Sequence, residues 1–203
     1  MSRLFLLILA ILPMTGLAAD TNTFYSSIFG ITVTKPASWY FMSRDRFQEN
    51  IHDLKLKDEE LHQFLEKNNV PVAIVTKYLE PYDDLNPSFK VQVLPVADSS
   101  TDDPVAIADK VVQASNGSNH SNFKVDVAPV SVTVANRKAA YCKTSYDVVL
   151  ADGRVFHACG EVWFVPVKKH GYFFMFSVDT RADEKNGSRA EAKEIVSSIK
   201  IEE

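Results

Sequence analysis

Tyr172-Phe173-Phe174-Met175-Phe176 is the stretch that most restricts this chain. In a β-strand successive side chains point to opposite faces, so a run that is apolar at every position must be covered on both sides. It therefore predicts a central strand, with Phe173, Phe174, Met175 and Phe176 all nearly inaccessible, and a layer of further structure against each face.

The surrounding pattern supplies that sheet. Phe123–Val127, Val130–Val134, Lys138–Val149, Arg154–Val165 and Gly171–Val178 are β-like, and Asp152-Gly153 is a hairpin signal between two of them. Earlier, Phe29–Pro36 is β-rich, Ser38–Met42 begins a second extended piece, Val70–Leu79 reads as a strand, and Phe89–Leu94 alternates as a half-buried strand does. Helical signals interrupt the strands three times. Asp58–Lys67 carries acidic residues in its first turn and Leu61, Phe64 and Leu65 on one face. Asp102-Asp103-Pro104 starts a second helix, with Asp at the cap, Pro in the first turn and Val105, Ala108, Val111 and Val112 on one face. Ser188–Ile199 forms a third, with Ala192, Ile195, Val196 and Ile199 as its inner stripe and a Ser188/Glu191 capping box. Hairpin-linked strands with interspersed helices predict an α+β fold: an αβα sandwich with a central antiparallel sheet.

The N-terminus reads as an export signal over residues 1–19. Arg3 supplies the positive region, Leu4–Pro13 is an apolar core too short to span a bilayer, and Gly16-Leu17-Ala18-Ala19 supplies small residues for cleavage. Residues 20–203 are then expected to form a single domain, periplasmic or secreted, with no integral membrane segment after cleavage. The formal net charge is −4, and removing Arg3 makes the mature chain one step more acidic. Such a domain has no counterion-release drive toward nucleic acid.

In an exporting compartment the two cysteines, Cys142 and Cys159, are expected to form a disulfide. Register bears on it: a two-residue turn at Asp152-Gly153 puts Cys142 opposite Trp163 and Cys159 four residues along the same face, too far for a bridge, so the pairing needs a shifted turn or a bulge near Gly160. The competing expectation is a metal or thiol site. His157, Cys159 and Glu161 share one side of a strand, and imidazole, thiolate and carboxylate together are ligands for zinc or copper, with Cys142 or His170 as a fourth. Cys159 with one of the five histidines (His52, His62, His120, His157, His170) is a possible nucleophile pair, although no flanking motif supports it.

Other chemistry is missing at the motif level. The chain has no Gly-rich phosphate loop, no Gly-x-Ser-x-Gly elbow and no paired-histidine helix. The expectation is therefore no cofactor and no catalytic residue. Asn116-Gly117-Ser118, Asn119-His120-Ser121 and Asn186-Gly187-Ser188 have the form of glycosylation acceptors. Trp39, Tyr40, Phe41, Tyr78, Tyr82, Trp163 and Phe164 are either core or the lining of a ligand groove.

Several segments, taken in order, resemble the PsbP-like superfamily. They are Gly30-Ile31-Thr32-Val33 followed by Lys35-Pro36-Ala37-Ser38-Trp39, then Asn86-Pro87 before Phe89-Lys90-Val91, then Ala139-Ala140-Tyr141, the Asp152-Gly153 hairpin, Trp163–Val167 and the closing Ile195–Ile199. That group includes the photosystem II protein PsbP, a nuclear Ran-binding protein and exported bacterial proteins of the DcrB type. The resemblance implies an αβα sandwich and a non-catalytic accessory or assembly role with a protein or small-ligand partner. The rival readings are a Cys/His-dependent hydrolase or metal-binding protein, and a secreted effector acting on a host.

Overall fold

The structure, a computed structural model, describes residues 22–42, 71–79, 81–95, 103–115, 121–149, 153–167, 171–184 and 187–202. The signal segment over residues 1–19, the helix expected over Asp58–Lys67, four of the five histidines and the Asn116 and Asn119 acceptors lie outside the described residues.

Ten strands and two helices make up the rest. In chain order they are β1 (Thr23–Ser26), β2 (Ile31–Thr34), β3 (Tyr40–Phe41), β4 (Ala73–Thr76), β5 (Ser88–Pro95), α1 (Pro104–Ser115), β6 (Ser121–Val134), β7 (Arg137–Val149), β8 (Val155–Val167), β9 (Tyr172–Arg181), α2 (Ser188–Ser197) and β10 (Lys200–Ile201). Seven strands form one sheet in the order β3-β4-β5-β9-β8-β7-β6, and β1-β2-β10 form a smaller one. Every paired strand is antiparallel.

The apolar run of β9 lies between β5 and β8, as its composition demands. Phe174 and Phe176 face one side and join the larger core with Phe89, Val165, Trp39 and the α2 residues Ala192, Ile195 and Val196. Phe173 faces the other and joins Phe164, Ala140 and the α1 residues Ile107 and Ala108. The helices thus cover opposite faces and the architecture is an αβα sandwich. Met175 is the exception within the run, half-buried where the others are buried: α1 packs mainly over β6, β7 and β8, so the α1-side positions of β9 are less fully covered.

Local signals hold at α1, where Asp103 Oδ1 accepts from the Val105 amide at 3.4 Å. They fail at α2. The residue before the helix, Gly187, is left-handed and makes no side-chain cap. Glu184 instead accepts the Ser188 and Arg189 amides, from outside the helix. The expected Ser188/Glu191 capping box does not form, because Glu191 is drawn into longer-range contacts with Trp39 and Lys77. The two strands expected over 123–134 are one edge strand, β6, with register shifts between Ser121 and Val130 and Pro129 inside it. Bulges and proline are devices that keep an edge strand from pairing with another chain.

Candidate functional site

Alternation along β8 places His157, Cys159, Glu161 and Trp163 in one row on the α2 side. The row does not converge on a common point. His157 is 74% exposed and its Nδ1 lies 2.5 Å from Asp147 Oδ1. Asp147 also accepts from Asn122 Nδ2 at 2.6 Å, and the Asn122 and His157 bonds hold its carboxyl below the usual carboxylate range. Cys159 is buried, and burial pushes its thiol up. Glu161 is 2% exposed, and its carboxylate is matched to cations. Lys193 Nζ stands 3.0 Å from Oε2 and Arg189 Nε 3.8 Å from Oε1. Lys143 sits directly across on β7. Among the described residues no three His, Cys, Asp or Glu side chains group as metal ligands do. His170 lies outside the described residues.

The expected Cys142–Cys159 disulfide is not formed in the structure, where the register of β7 and β8 sets the two cysteines on opposite faces of the sheet. Both thiols are unbonded and buried. The last pair of the hairpin is Val149 opposite Val155, so the connection is longer than a two-residue turn at Asp152-Gly153, and Cys142 pairs with Val162 where that turn would have set it against Trp163. A shift of one residue moves a side chain to the other face of a sheet. Cys142 therefore joins the core under α1 while Cys159 faces α2, with Ser145 opposite it. Burial pushes the Cys142 thiol up to about 11. Neither cysteine has the lowered pKa of an activated nucleophile.

The aromatic residues do not line one groove. Trp39 is fully buried, Phe164 packs against Phe173 under α1, and Trp163 packs against Tyr141 with ring centroids 5.1 Å apart. Tyr40 and Phe41 form the short edge strand β3, where Phe41 meets Phe24.

Tyr78 and Tyr82 belong to a different assembly, one that local sequence patterns do not disclose. Their rings stack with centroids 4.4 Å apart in the connection between β4 and β5. Asn86 staples this connection, accepting from the Tyr78 amide at 3.1 Å and donating to the Tyr78 carbonyl at 2.8 Å. Two arginines tie it to the ends of β8 and β9. Arg154 donates to the Asp83 carbonyl at 2.7 Å, and Arg181 pairs with Asp84 and Asp183, each at 2.8 Å. Both guanidinium groups lie over the Phe156 ring, at 5.7 and 5.4 Å from its centroid. The exposed Leu79, Val149 and Val155 border this end of the sheet, Leu79 being 64% accessible. Arginine and aromatic side chains beside exposed aliphatic ones are the composition of protein-binding surfaces. The available signal was slight: an arginine beside the Asp152-Gly153 turn and a tyrosine pair four residues apart.

No protein-family model matches the chain. No curated protein matches its sequence. Solved structures do match. The Ran-binding protein Mog1p of Saccharomyces cerevisiae is 11% identical, with a TM-score of 0.51, over 88% of this chain and 94% of that one. Cyanobacterial PsbP (CyanoP) of Synechocystis sp. PCC 6803 is 14% identical, with a TM-score of 0.49, over 92% and 96%. LpqN of Mycobacterium tuberculosis, described as involved in cell envelope biogenesis, is 13% identical, with a TM-score of 0.48, over 85% and 83%. At such identities the likeness speaks for architecture alone. With its antiparallel sheet between two helices and its match to Mog1p along nearly the whole of both chains, this protein has the PsbP-like fold.

Proposed function

We propose that the chain is an exported accessory protein, one domain over residues 20–203, that binds a protein partner through the arginine–aromatic end of the sheet and performs no catalysis. The observation that carries this reading is the clamp of Arg154 and Arg181 over Phe156, joined to the Tyr78/Tyr82 stack by Asp83 and Asp84. Ion pairs hold this surface in place before any partner arrives, which lowers the entropy lost on binding. Its neighbours Leu79, Val149 and Val155 supply apolar area that the fold leaves exposed. Export rests on Arg3, the Leu4–Pro13 run and the small residues to Ala19. No helix among the described residues is long and apolar enough to cross a membrane.

Site-specific photocrosslinking in an exporting host tests this reading. A crosslinker at Leu79 should yield a discrete protein adduct, and one at Val125, exposed on β6, should not. Phe156→Ala should weaken the adduct, since anchor residues at interfaces contribute about 2 kcal/mol or more. An adduct that forms equally from Val125, or that ignores Phe156→Ala, would refute it.

A further inference from the structure

We infer that the cleft between α2 and the β6–β7 turn binds a small organic anion with an apolar body, its charged group held by Lys193 and its body lying against Trp163. The cleft is open on one side and offers about 500 Å³, within the range of small-molecule sites. Trp163, Val196 and Ile199 supply apolar lining, and Asn136, Ser197 and Lys193 supply polar and charged lining. Lys193 is the only charged side chain lining it among the described residues.

Charge balance sets the sign of the ligand. Three cations surround the buried Glu161: Lys193 at 3.0 Å, Arg189 at 3.8 Å and Lys143 across the β7–β8 ladder. Asp126, which accepts a hydrogen bond from Ser145, keeps its negative charge and counts against them. Glu191, on the same helix, is committed to Trp39 and Lys77. The three cations thus outnumber the two carboxylates, Glu161 and Asp126, by one. An anion entering the cleft would meet net positive charge at an apolar wall, where water screens it less than at an open surface. A neutral or cationic ligand gains nothing from that charge.

The turn that closes the cleft is the β6–β7 hairpin loop. Ala135 and Asn136 both have positive φ, 49° and 59°, and both line the cleft. Asn is at ease there, whereas Ala costs about 1 kcal/mol in this conformation. Both φ values are those of a two-residue type I′ hairpin loop between the paired Val134 and Arg137.

The test uses purified full-length mature protein and two fluorescent probes of similar shape, anionic 8-anilinonaphthalene-1-sulfonate and uncharged N-phenyl-1-naphthylamine. The anionic probe should bind saturably at one site and quench Trp163, with the quench lost in Trp163→Phe. The uncharged probe should bind about tenfold more weakly, the worth of one charge-assisted contact. Lys193→Gln should weaken the anionic probe by about the same factor and leave the uncharged one unchanged. Ser197→Trp, which fills the cleft without touching the charges, should abolish both. Glu161→Gln should tighten the anionic probe several-fold, because it removes the carboxylate that competes for Lys193; a purely structural role for the ion pair predicts no gain. Equal affinity for the two probes, no response to Lys193→Gln, or unchanged or weaker binding in Glu161→Gln would each overturn the inference.

Discussion

Trp39 donates its indole N–H to Glu191 Oε2 at 2.7 Å, joining positions 152 residues apart. Lys77 Nζ reaches the same oxygen at 2.9 Å. One carboxylate therefore ties the segment before β3, the end of β4 and helix α2 together. The indole ring itself is wholly buried in the core that α2 covers.

Stability should depend on the ionisation of Glu191. Burial pushes its carboxyl up, but Lys77 and the Trp39 indole together outweigh burial and hold it below the ordinary glutamate range. A group depressed in the folded state stabilises above its unfolded pKa and loses that contribution as pH falls through the folded value. Urea unfolding of the wild type should show stability declining below about pH 4.5, and Glu191→Gln should lower stability at pH 7 by about 1 kcal/mol and make the acid decline shallower. Parallel pH profiles for the two proteins would contradict this.

Phe174→Ala should destabilise by about 3–5 kcal/mol, because the ring is fully buried and stacks against Phe176 at 5.7 Å. Met175→Ala, half-buried on the other face, should cost less. Chemical denaturation of both variants decides it; similar losses would mean that both faces are covered alike.

Both thiols should remain unbonded and slow to react. In the native protein neither Cys142 nor Cys159 should be alkylated quickly at neutral pH, since each is buried with a raised pKa. In denaturant without reductant both should react at once. A mass lower by two hydrogens in unreduced material would show the bridge that the register disallows.

Gly160→Ala should be destabilising for reasons of space alone. An added Cβ would meet Thr144 Oγ1 at 2.9 Å and Tyr146 Cε1 at 3.3 Å. Tyr146 is fixed by its bond to Asp179 at 2.7 Å, which Lys90 also holds at 3.0 Å, so the ring has little room to yield. The loss should be about 1–3 kcal/mol in thermal or urea unfolding. Thr144→Ser combined with Gly160→Ala should recover little, because the hydroxyl remains.

What the sequence by itself determined is the layering and most of the elements, though β1, β10 and the single long β6 escaped it. Period-two alternation and the doubly apolar run of β9 require a sheet covered on both faces, and the stripes of α1 and α2 provide the covers, because burial of apolar side chains is encoded residue by residue along the chain. What only the tertiary structure decided is which residues meet. The register of β7 and β8 turned on the length of one hairpin connection, and a one-residue difference parted Cys142 from Cys159. Glu191 looked like a cap but serves Trp39 and Lys77, while Glu184, outside the helix, takes its place. Glu161 looked like a metal ligand until α2 laid Arg189 and Lys193 over it. The clamp of Arg154 and Arg181 on Phe156 joins two strand ends to the β4–β5 connection. Polar side chains take the partners that packing brings within reach, and those partners lie tens of residues away, where no local pattern records them.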